Sequence, residues 1–429
     1  MNITLRYGRQ GLEVELPDEH VSHVLRQNRL PKIHRPEQAV EEALAEPIGN
    51  EPLAELAQGR RDACIVVSDL TRPVPNAVIL PPIIEALRGA GLQADDILIL
   101  IATGLHREST HDELREMLGE EIIAGGCRIE QHVARDASSH ERLGETERGT
   151  PVAIDRRYLD ADLKILTGLV EPHLMAGYSG GRKAVCPGLS GVETVMQFHG
   201  PGLLEPAEAC AGNLVDNPVH EEALAVADLA GGADFIVNVT LDEDREVTGI
   251  FGGDMRAAHA AAMIRAEQQA KVTIQEPVEI VVTSGGGYPL DLTMYQGIKG
   301  IVAAGPIVRE GGTIIIAQEN AEGIGGEEFT ELMLNLRDPH EYIEQALGGA
   351  QFCIDAWQLH VLEKVLRHCE VVNVSDGLPA DLQRECFVEP ASSVEKAVRS
   401  ALERHGPEAR MAVIPDGPYV LSCLSANGC

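Results

Sequence analysis

Short apolar runs typical of β-strands alternate along this chain with amphipathic windows typical of helices. Ala-Cys-Ile-Val-Val-Ser-Asp at 63–69 is followed by a helical window at 78–91, an apolar run at 96–104 and a helical window at 111–121. Such alternation is the pattern of parallel strands joined by crossover helices. It predicts an α/β fold whose ligand lies beyond the carboxyl ends of the strands.

The same alternation returns in the last third of the chain. Apolar runs typical of strands recur at 278–289, 311–319 and 369–376. The chain has 429 residues, more than the roughly 250–300 at which a single hydrophobic core stops growing. We therefore predict two α/β domains with mostly parallel sheets, one over residues 1–271 and one over 272–429, with 267–277 as the connector.

Polar residues beside these segments indicate where helices begin. Thr110 with Glu113, and Ser190 with Glu193, match the Ser/Thr-x-x-Glu capping box, in which side chains and backbone of the first turn bond reciprocally. The second box predicts a short helix that delivers His199 at its C-terminal end.

The charge of the chain excludes one class of partner. Its 35 Lys and Arg stand against 67 Asp and Glu, a formal net charge of −32. No stretch is rich enough in Lys and Arg to neutralise a phosphate backbone, so nucleic acid is excluded. Because the mean field repels anions, any lysine inside a glycine-rich loop stands out.

The cysteines and the apolar segments indicate the compartment. Nine cysteines are scattered without Cys-x-x-Cys or zinc-ribbon spacing, so we expect reduced thiols. The first residues lack a basic patch followed by an apolar core, and no run of about 18 apolar residues occurs. We expect a soluble cytoplasmic protein without a membrane partner.

A glycine-rich segment at 171–188, Glu-Pro-His-Leu-Met-Ala-Gly-Tyr-Ser-Gly-Gly-Arg-Lys-Ala-Val-Cys-Pro-Gly, follows an apolar run and should be a loop after a strand. Gly180 and Gly181 let the backbone approach an anion, and the basic pair 182–183 adds charge. The spacing differs from the phosphate-binding Gly-x-x-x-x-Gly-Lys-Ser/Thr motif, because Ala184 offers no hydroxyl to magnesium. Taken alone, the segment is more often a solvated turn than a phosphate site.

Histidines near this loop also have two interpretations. His173 would ordinarily bond to nearby backbone, and His199 would interact with its helix dipole. Two other loops favour catalysis, since Arg72 follows the strand ending near Asp69 and His106 follows the next strand, at the same sheet edge. Histidine exchanges protons near neutral pH, and the arginine fork suits a carboxylate.

The second domain offers a matching set. Tyr295, Gln296 and Lys299 should lie on the first turns of a helix, with Tyr295 and Lys299 on one face because they are four residues apart. In one interpretation, the tyrosine packs in the core and the lysine lies at its edge. In the other, these residues close an anion pocket from the opposite domain.

Several segments together resemble the nickel-pincer-nucleotide lactate racemase family, in the right order over nearly the whole chain. They are Asp-Leu-Thr-Arg-Pro (69–73), Ala-Thr-Gly-Leu-His-Arg-Glu (102–108), the segment 171–183, Gln-Phe-His-Gly-Pro (197–201), Gly-Gly-Tyr-Pro-Leu-Asp (286–291), Tyr-Gln-Gly-Ile-Lys-Gly (295–300), Gln-Glu-Asn-Ala-Glu-Gly-Ile-Gly-Gly-Glu-Glu-Phe (318–329) and Pro-Asp-Gly-Pro-Tyr-Val (415–420).

The resemblance implies an active site in the cleft between the two domains and racemisation or epimerisation of a small anionic 2-hydroxy acid. It also implies a pyridinium-3,5-bisthiocarboxylic acid mononucleotide, the nickel-pincer nucleotide, supplied by cofactor-synthesis enzymes. On the matched motifs, Lys183 would attach the cofactor covalently and His199 would bind its nickel. Other residues implied to hold the cofactor are Asp69, Ser179, Gly180, Gly181 and Arg182.

By the same resemblance, His106 and His173 would be the acid/base pair. The residues implied to bind substrate are Arg72, Tyr295, Gln296, Lys299 and Trp357. The chemistry agrees, because removing the α-hydrogen as hydride while a base takes the hydroxyl proton yields a planar keto acid, and two faces need two bases. The cofactor carries the hydride, and soft sulfur donors with one imidazole suit nickel.

One departure bears on the substrate. Leu292 and Thr293 stand where the resemblance leads us to expect polar residues. If they line the pocket, another 2-hydroxy acid or a sugar acid replaces lactate.

Two other functions compete with this one. A nucleotide-dependent transferase or kinase would use the 177–183 loop, but no Ser/Thr follows Lys183 and no second acidic magnesium motif is evident. In a non-catalytic metal or ligand carrier, the histidines at the strand ends would have no functional role.

Overall fold

The computed structural model describes residues 1–425 of the chain. The strands of the first half are β1 (Asn2–Leu5), β2 (Leu12–Glu15), β3 (Val21–Val24), β4 (Ala63–Ser68), β5 (Ile97–Ala102), β6 (Arg128–Gln131), β7 (His140–Glu145), β8 (Pro151–Asp155), β9 (Leu163–Leu169), β10 (Pro172–His173), β11 (Gly177–Tyr178), β12 (Phe235–Leu241) and β13 (Val247–Gly253). Those that follow are β14 (Lys271–Ile274), β15 (Val278–Ser284), β16 (Val308–Ala317), β17 (Glu370–Val374), β18 (Glu389–Pro390), β19 (Met411–Ile414) and β20 (Leu421–Leu424).

The helices alternate with these strands. They are α1 (Pro36–Ala45), α2 (Leu53–Leu56), α3 (Asn76–Gly89), α4 (His111–Leu118), α5 (Glu120–Ala124), α6 (Arg156–Leu159), α7 (Val192–Phe198), α8 (Pro201–Leu204), α9 (Pro218–Leu229), α10 (Met255–Ala270), α11 (Met294–Ala304), α12 (Glu327–Asn335), α13 (Pro339–Leu347), α14 (Ala356–Leu366), α15 (Ala380–Glu385) and α16 (Val394–His405).

The first sheet has the strand order β13-β12-β9-β4-β5-β6 and is parallel except at β13. Its central strands are apolar on both faces because helices cover both sides, as parallel sheets require. The strands predicted at 63–69 and 96–104 are confirmed as β4 and β5. Since β4 lies between β5 and β9, the loops after these three strands meet at one edge.

The second sheet has the order β18-β17-β16-β15-β19-β3 and is parallel throughout. The α/β prediction with two mostly parallel sheets is therefore confirmed. Strand β3, from the start of the chain, pairs with β19, so Val21–Val24 belongs to this second sheet. The boundary near residue 272 stays a prediction, and local patterning carried no sign of that distant pairing.

The expected connector is only partly irregular. Helix α10 continues to Ala270, and Lys271–Ile274 forms β14 beside β20. The segment 267–277 is therefore not a free connector, because its backbone bonds to the end of the chain.

One predicted capping box is confirmed and the other is wrong. Thr110 accepts the backbone N–H of Glu113, and the Glu113 carboxylate accepts the N–H of Thr110. Helix α7 begins after Gly191 instead, and the buried Ser190 hydroxyl donates to the carbonyl of Val185 at 3.0 Å. Because the Ser190 hydroxyl bonds within the loop before α7, it does not cap the helix.

The cysteines follow the prediction with one exception. In the described part of the chain, the free thiols are Cys64, Cys127, Cys186, Cys210, Cys353, Cys369 and Cys386. Cys423 is disulfide-bonded, so the expectation of reduced thiols is wrong there, and Cys429 lies outside the described residues. Among residues 1–425, no helix has the length and apolar character needed to cross a bilayer.

Candidate active site

A cavity of about 180 Å³ lies where the loops after β4, β5 and β9 face α11 and the start of α14. Most of the predicted site residues line it together. They are Asp69, Arg72, His106, His173, Ser179, Gly180, Lys183, His199, Tyr295, Gln296, Lys299 and Trp357. Both domains therefore contribute to one site, with the cation and histidine sets facing the same space.

Gly181 and Arg182 do not line this cavity. The Arg182 guanidinium is fully buried, donates to the carbonyl of Ala176 at 2.7 Å and has its pKa lowered by burial to about 9. Gly181 has φ +51°, and a Cβ there would meet the His259 ring at 2.6 Å, so only glycine fits. Both residues shape the loop from within, contrary to the expectation that the Arg182 charge would face a ligand.

Lys183 is a buried lysine among other cations. Burial, followed by the nearby charges of Arg182 and Arg72, lowers its pKa to about 7. Within the described residues, no carboxylate forms an ion pair with it. A large share of its amino groups is therefore unprotonated near neutral pH, which is the nucleophilic form.

His199 directly follows α7 and is held in one orientation. Its Nδ1–H donates to the carbonyl of Val195 at 3.2 Å, and its ring stacks on Trp357 with centroids 4.7 Å apart. Burial, then the charge of Lys183, lowers its pKa to about 3. The ring is thus neutral, and its Nε2 lone pair is left to bind a metal.

His106 forms a dyad with Asp69. The His106 Nδ1–H donates to the Asp69 carboxylate at 2.5 Å, and Thr71 donates to the other carboxylate oxygen at 2.6 Å. The charge of Asp69 raises the pKa of His106. The hydrogen bond places the proton on Nδ1, so Nε2 is available as a base.

The surroundings of His173 shift its pKa in the direction opposite to that of His106. Its Nδ1 accepts the backbone N–H groups of Met175 and Ala176, each at 3.3 Å. Burial, then the charge of Lys183 and other cations, lowers its pKa well below the usual histidine value. In its neutral form, His173 carries its proton on Nε2.

Two cations from opposite domains approach the cavity. Arg72 comes from the loop after β4, whereas Lys299 comes from α11, where burial and then Arg72 lower its pKa to about 7. Arg72 also forms an ion pair with Glu171. Glu171 lies in the glycine-rich segment, only two residues before His173, but nothing in the sequence indicates this ion pair.

A chain of hydrogen bonds begins at Trp357, whose ring stacks on His199. Trp357 Nε1–H donates to the Tyr295 hydroxyl at 2.9 Å, and that hydroxyl donates to Asp355 at 3.0 Å. Asp355 was missed, and its left-handed φ of +66° could not be deduced from the sequence. This backbone conformation is sparsely populated and tends to occur at functional sites.

The Leu292 and Thr293 departure has a structural explanation. The Thr293 hydroxyl caps α11 by accepting the N–H of Gln296 at 3.3 Å, and neither residue lines the described cavity. The departure therefore gives no reason to exclude lactate.

Fold and cavity together define a two-domain α/β protein with a candidate active site in the cleft between the domains. The family model for the lactate racemase N-terminal domain matches residues 7–211, and the model for the C-terminal domain matches residues 273–422. The chain belongs to the lactate racemase family and is an isomerase of the racemase type. This membership sets aside the transferase and carrier alternatives.

Individual relatives agree over the full length. A lactate racemase from Lactiplantibacillus plantarum is 36% identical over 98% of this chain and 99% of its own length. One from Thermoanaerobacterium thermosaccharolyticum is 34% identical over the same shares. The lactate racemase apoprotein structure from the latter organism aligns with a TM-score of 0.91 at 32% identity, covering 98% of this chain and all of that one. A Thermotoga maritima protein, 19% identical with a TM-score of 0.69 over 91% of this chain and 98% of its own, shows the fold alone.

Proposed function

We propose that this chain racemises or epimerises a small anionic 2-hydroxy acid, lactate or a relative, by hydride transfer coupled to proton transfer. The observation that carries this proposal is that two histidines, whose pKa values are shifted in opposite directions, line one cavity with two cations, His106 and His173 beside Arg72 and Lys299. Each histidine would serve one orientation of the substrate hydroxyl.

The residues fit the nickel-pincer nucleotide as cofactor. Lys183, with a pKa of about 7, can be acylated through its neutral amine, and His199 offers an unused Nε2 to nickel. One protein histidine together with soft donors carried by the cofactor is a suitable donor set for nickel. Residues 1–425 contain no cluster of three or more His, Cys, Asp or Glu suited to a metal. When bound, this group would accept the α-hydrogen as hydride and return it.

The proton moves through the histidines. His106 Nε2 would take the hydroxyl proton while Asp69 stabilises the resulting imidazolium. His173 would donate at Nε2 as the imidazolium, which gives one proton to the oxygen of the keto acid and returns to the neutral ring with Nδ1 facing the backbone N–H groups. A turnover that starts with neutral His106 and protonated His173 would end with these protonation states exchanged, so one proton must return from His106 to His173 before the next turnover.

Arg72 and Lys299 would hold the carboxylate. Binding an anion favours the charged form of Lys299, whose pKa of about 7 leaves part of it neutral in the free protein. The substrate carboxylate must compete with Glu171 for Arg72.

Mass spectrometry and metal analysis test the proposal. Protein produced together with the cofactor-synthesis enzymes should carry an adduct of a few hundred daltons and about one nickel, and should interconvert the lactate enantiomers. Lys183→Ala should lose adduct and activity, because it removes the amine. Lys183→Arg is the matched control, since it keeps the positive charge without an acylatable amine and should also lose the adduct. Full activity in Lys183→Ala would refute the attachment.

A further inference from the structure

A second and larger cavity, of about 370 Å³, adjoins the active site. We call it the side-chain chamber. It shares Thr71, Arg72, His173, Leu174 and Lys299 with the candidate active-site cavity. Its other walls are mainly apolar and include Leu290, Val302, Ala303, Val420 and Leu421.

The size of the chamber exceeds what lactate needs. Protein interiors are close-packed, with few voids larger than a water molecule of about 30 Å³. The methyl group of lactate is comparable to one water and would leave most of the chamber empty. A volume near 370 Å³ lies instead in the range of ligand pockets.

Helix α11 connects the carboxylate site to the chamber. Lys299, Val302 and Ala303 are spaced i, i+3 and i+4, so they share one face of the helix. The apolar pair therefore lies about one turn, roughly 5.4 Å, beyond the cation. In a 2-hydroxy acid, the carboxylate and the substituent are separated by one carbon, so a carboxylate at Lys299 places the substituent within reach of this apolar face.

We propose that the side-chain chamber binds the substituent of the substrate, and that the preferred substrates are 2-hydroxy acids with an unbranched apolar chain longer than methyl. This inference rests on the proposed function and specifies its substrate class. Glu171 also lines the chamber and repels a second carboxylate, so dicarboxylic 2-hydroxy acids are disfavoured.

The chamber treats the two enantiomers differently. Of the two acid/base histidines, His173 borders the chamber, whereas His106 is absent from its described lining. A substituent in the chamber therefore directs the hydroxyl towards His106. When the carboxylate stays fixed, presenting the other face exchanges the positions of oxygen and substituent, so the opposite enantiomer places its substituent outside the chamber.

This asymmetry has a kinetic consequence. Enantiomers have equal free energy in solution, so kcat/KM must be equal in the two directions. Tighter ground-state binding of one enantiomer must then lower its KM and its kcat by the same factor. The difference in KM and kcat between the two enantiomers should therefore widen as the substituent lengthens, while the two lactate enantiomers should have nearly equal values.

Calorimetric binding to the protein made without cofactor, where no turnover occurs, provides the main test. The probes are the separate enantiomers of 2-hydroxypropanoate, 2-hydroxybutanoate, 2-hydroxypentanoate and 2-hydroxyhexanoate, with malate as the dicarboxylate. We expect affinity to rise about fourfold per added methylene in one enantiomeric series. Malate should bind more weakly than 2-hydroxybutanoate.

A substitution at Ala303 tests the location. Ala303→Leu fills the chamber and should reduce the ratio of 2-hydroxyhexanoate to lactate affinity at least tenfold, whereas Ala303→Ser keeps the volume and should largely retain that ratio. If Ala303→Leu does not fold, the affinities of the wild-type protein for the series of 2-hydroxy acids still test the proposal. If lactate binds as tightly as the longer acids, or malate binds more tightly than 2-hydroxybutanoate, the chamber proposal is overturned while racemisation of lactate stands. If no 2-hydroxy acid binds and the holoenzyme racemises none, both proposals fail.

Discussion

His106 and His173 share a cavity but differ in their hydrogen bonds, and in the proposed mechanism this difference gives them different roles. Asp69 directs the His106 proton to Nδ1, whereas two backbone N–H groups direct the His173 proton to Nε2. The charge of Asp69 raises the pKa of His106, whereas burial and the charge of Lys183 lower the pKa of His173. In the proposed mechanism, the pair would serve hydroxyl groups that arrive on opposite sides.

Replacing either histidine should abolish multiple-turnover racemisation. In His106→Ala or His173→Ala, one hydroxyl orientation loses its base, so the keto acid cannot be completed to the opposite enantiomer. Single-turnover experiments with each lactate enantiomer should show that one still yields bound keto acid. His132→Ala is unsuitable as a control because His132 bonds to the buried Asp155, whereas the exposed His368 offers a histidine outside the cavity. Near-wild-type racemisation in either cavity variant would contradict the two-base scheme.

The Asp69 carboxylate should determine the pKa of His106. Asp69→Asn removes the charge that raises this pKa, so the histidine should lose its proton at lower pH and the base-dependent limb of the pH profile should move to lower pH. Thr71→Ala is the matched control, because it removes a hydrogen bond to Asp69 but keeps the carboxylate. NMR titration of the His106 ring measures the shift. An unchanged His106 pKa in Asp69→Asn would show that the dyad does not control it.

For individual residues, the sequence predicted which side chains line the same cavity but not the partner that each side chain contacts. Loops after adjacent strands converge, so Arg72 and His106 could be placed together in advance. The orientation of Arg182 into the core and the Glu171 partner of Arg72 depend on packing around the loop. Asp355 approaches Tyr295 across 60 residues of chain, a contact for which local sequence carries no signal.

Helix α11 matters as an element because it carries Lys299 and one wall of the side-chain chamber. The Thr293 cap satisfies an N–H at the start of this helix. Thr293→Ala should lower the free energy of unfolding by about 1 kcal/mol, within the 0.5–2 kcal/mol seen for such caps. Thr293→Ser keeps an accepting oxygen and should remain close to wild type. Urea denaturation of both variants measures the difference, and equal stabilities would show that the cap contributes nothing.

The hydrophobic pattern of the sequence locates some strands of this fold but not others. Strands such as β4 and β5 are continuous apolar runs, and their neighbours follow them closely in sequence, so pattern alone locates them. Strand β3 alternates between partly buried and exposed residues and pairs with β19 nearly 390 residues away. Its place in the second sheet depends on tertiary contacts and could not be predicted.

Across the whole molecule, a net charge of −32 opposes the approach of an anionic substrate. Capture must then depend on short-range contacts with desolvated cations. Arg72 and Lys299 come from different domains, so a carboxylate held by both would couple binding to closure of the cleft. Closure would exclude water from the proposed hydride acceptor.

Removing either cation should therefore weaken catalysis strongly. Hydrogen bonds to charged groups are worth about 1.5–3 kcal/mol, so Arg72→Ala and Lys299→Ala should each lose roughly ten- to hundredfold in kcat/KM. Arg72→Lys keeps the charge but loses the planar fork, and should remain impaired if the contact is bidentate. Glu171→Gln frees Arg72 from its ion pair and should lower KM for anionic substrates. Steady-state racemisation of lactate and longer 2-hydroxy acids measures these effects. If both alanine variants keep wild-type kcat/KM on the best substrate, the carboxylate is bound elsewhere and the cleft between the domains loses its assigned role.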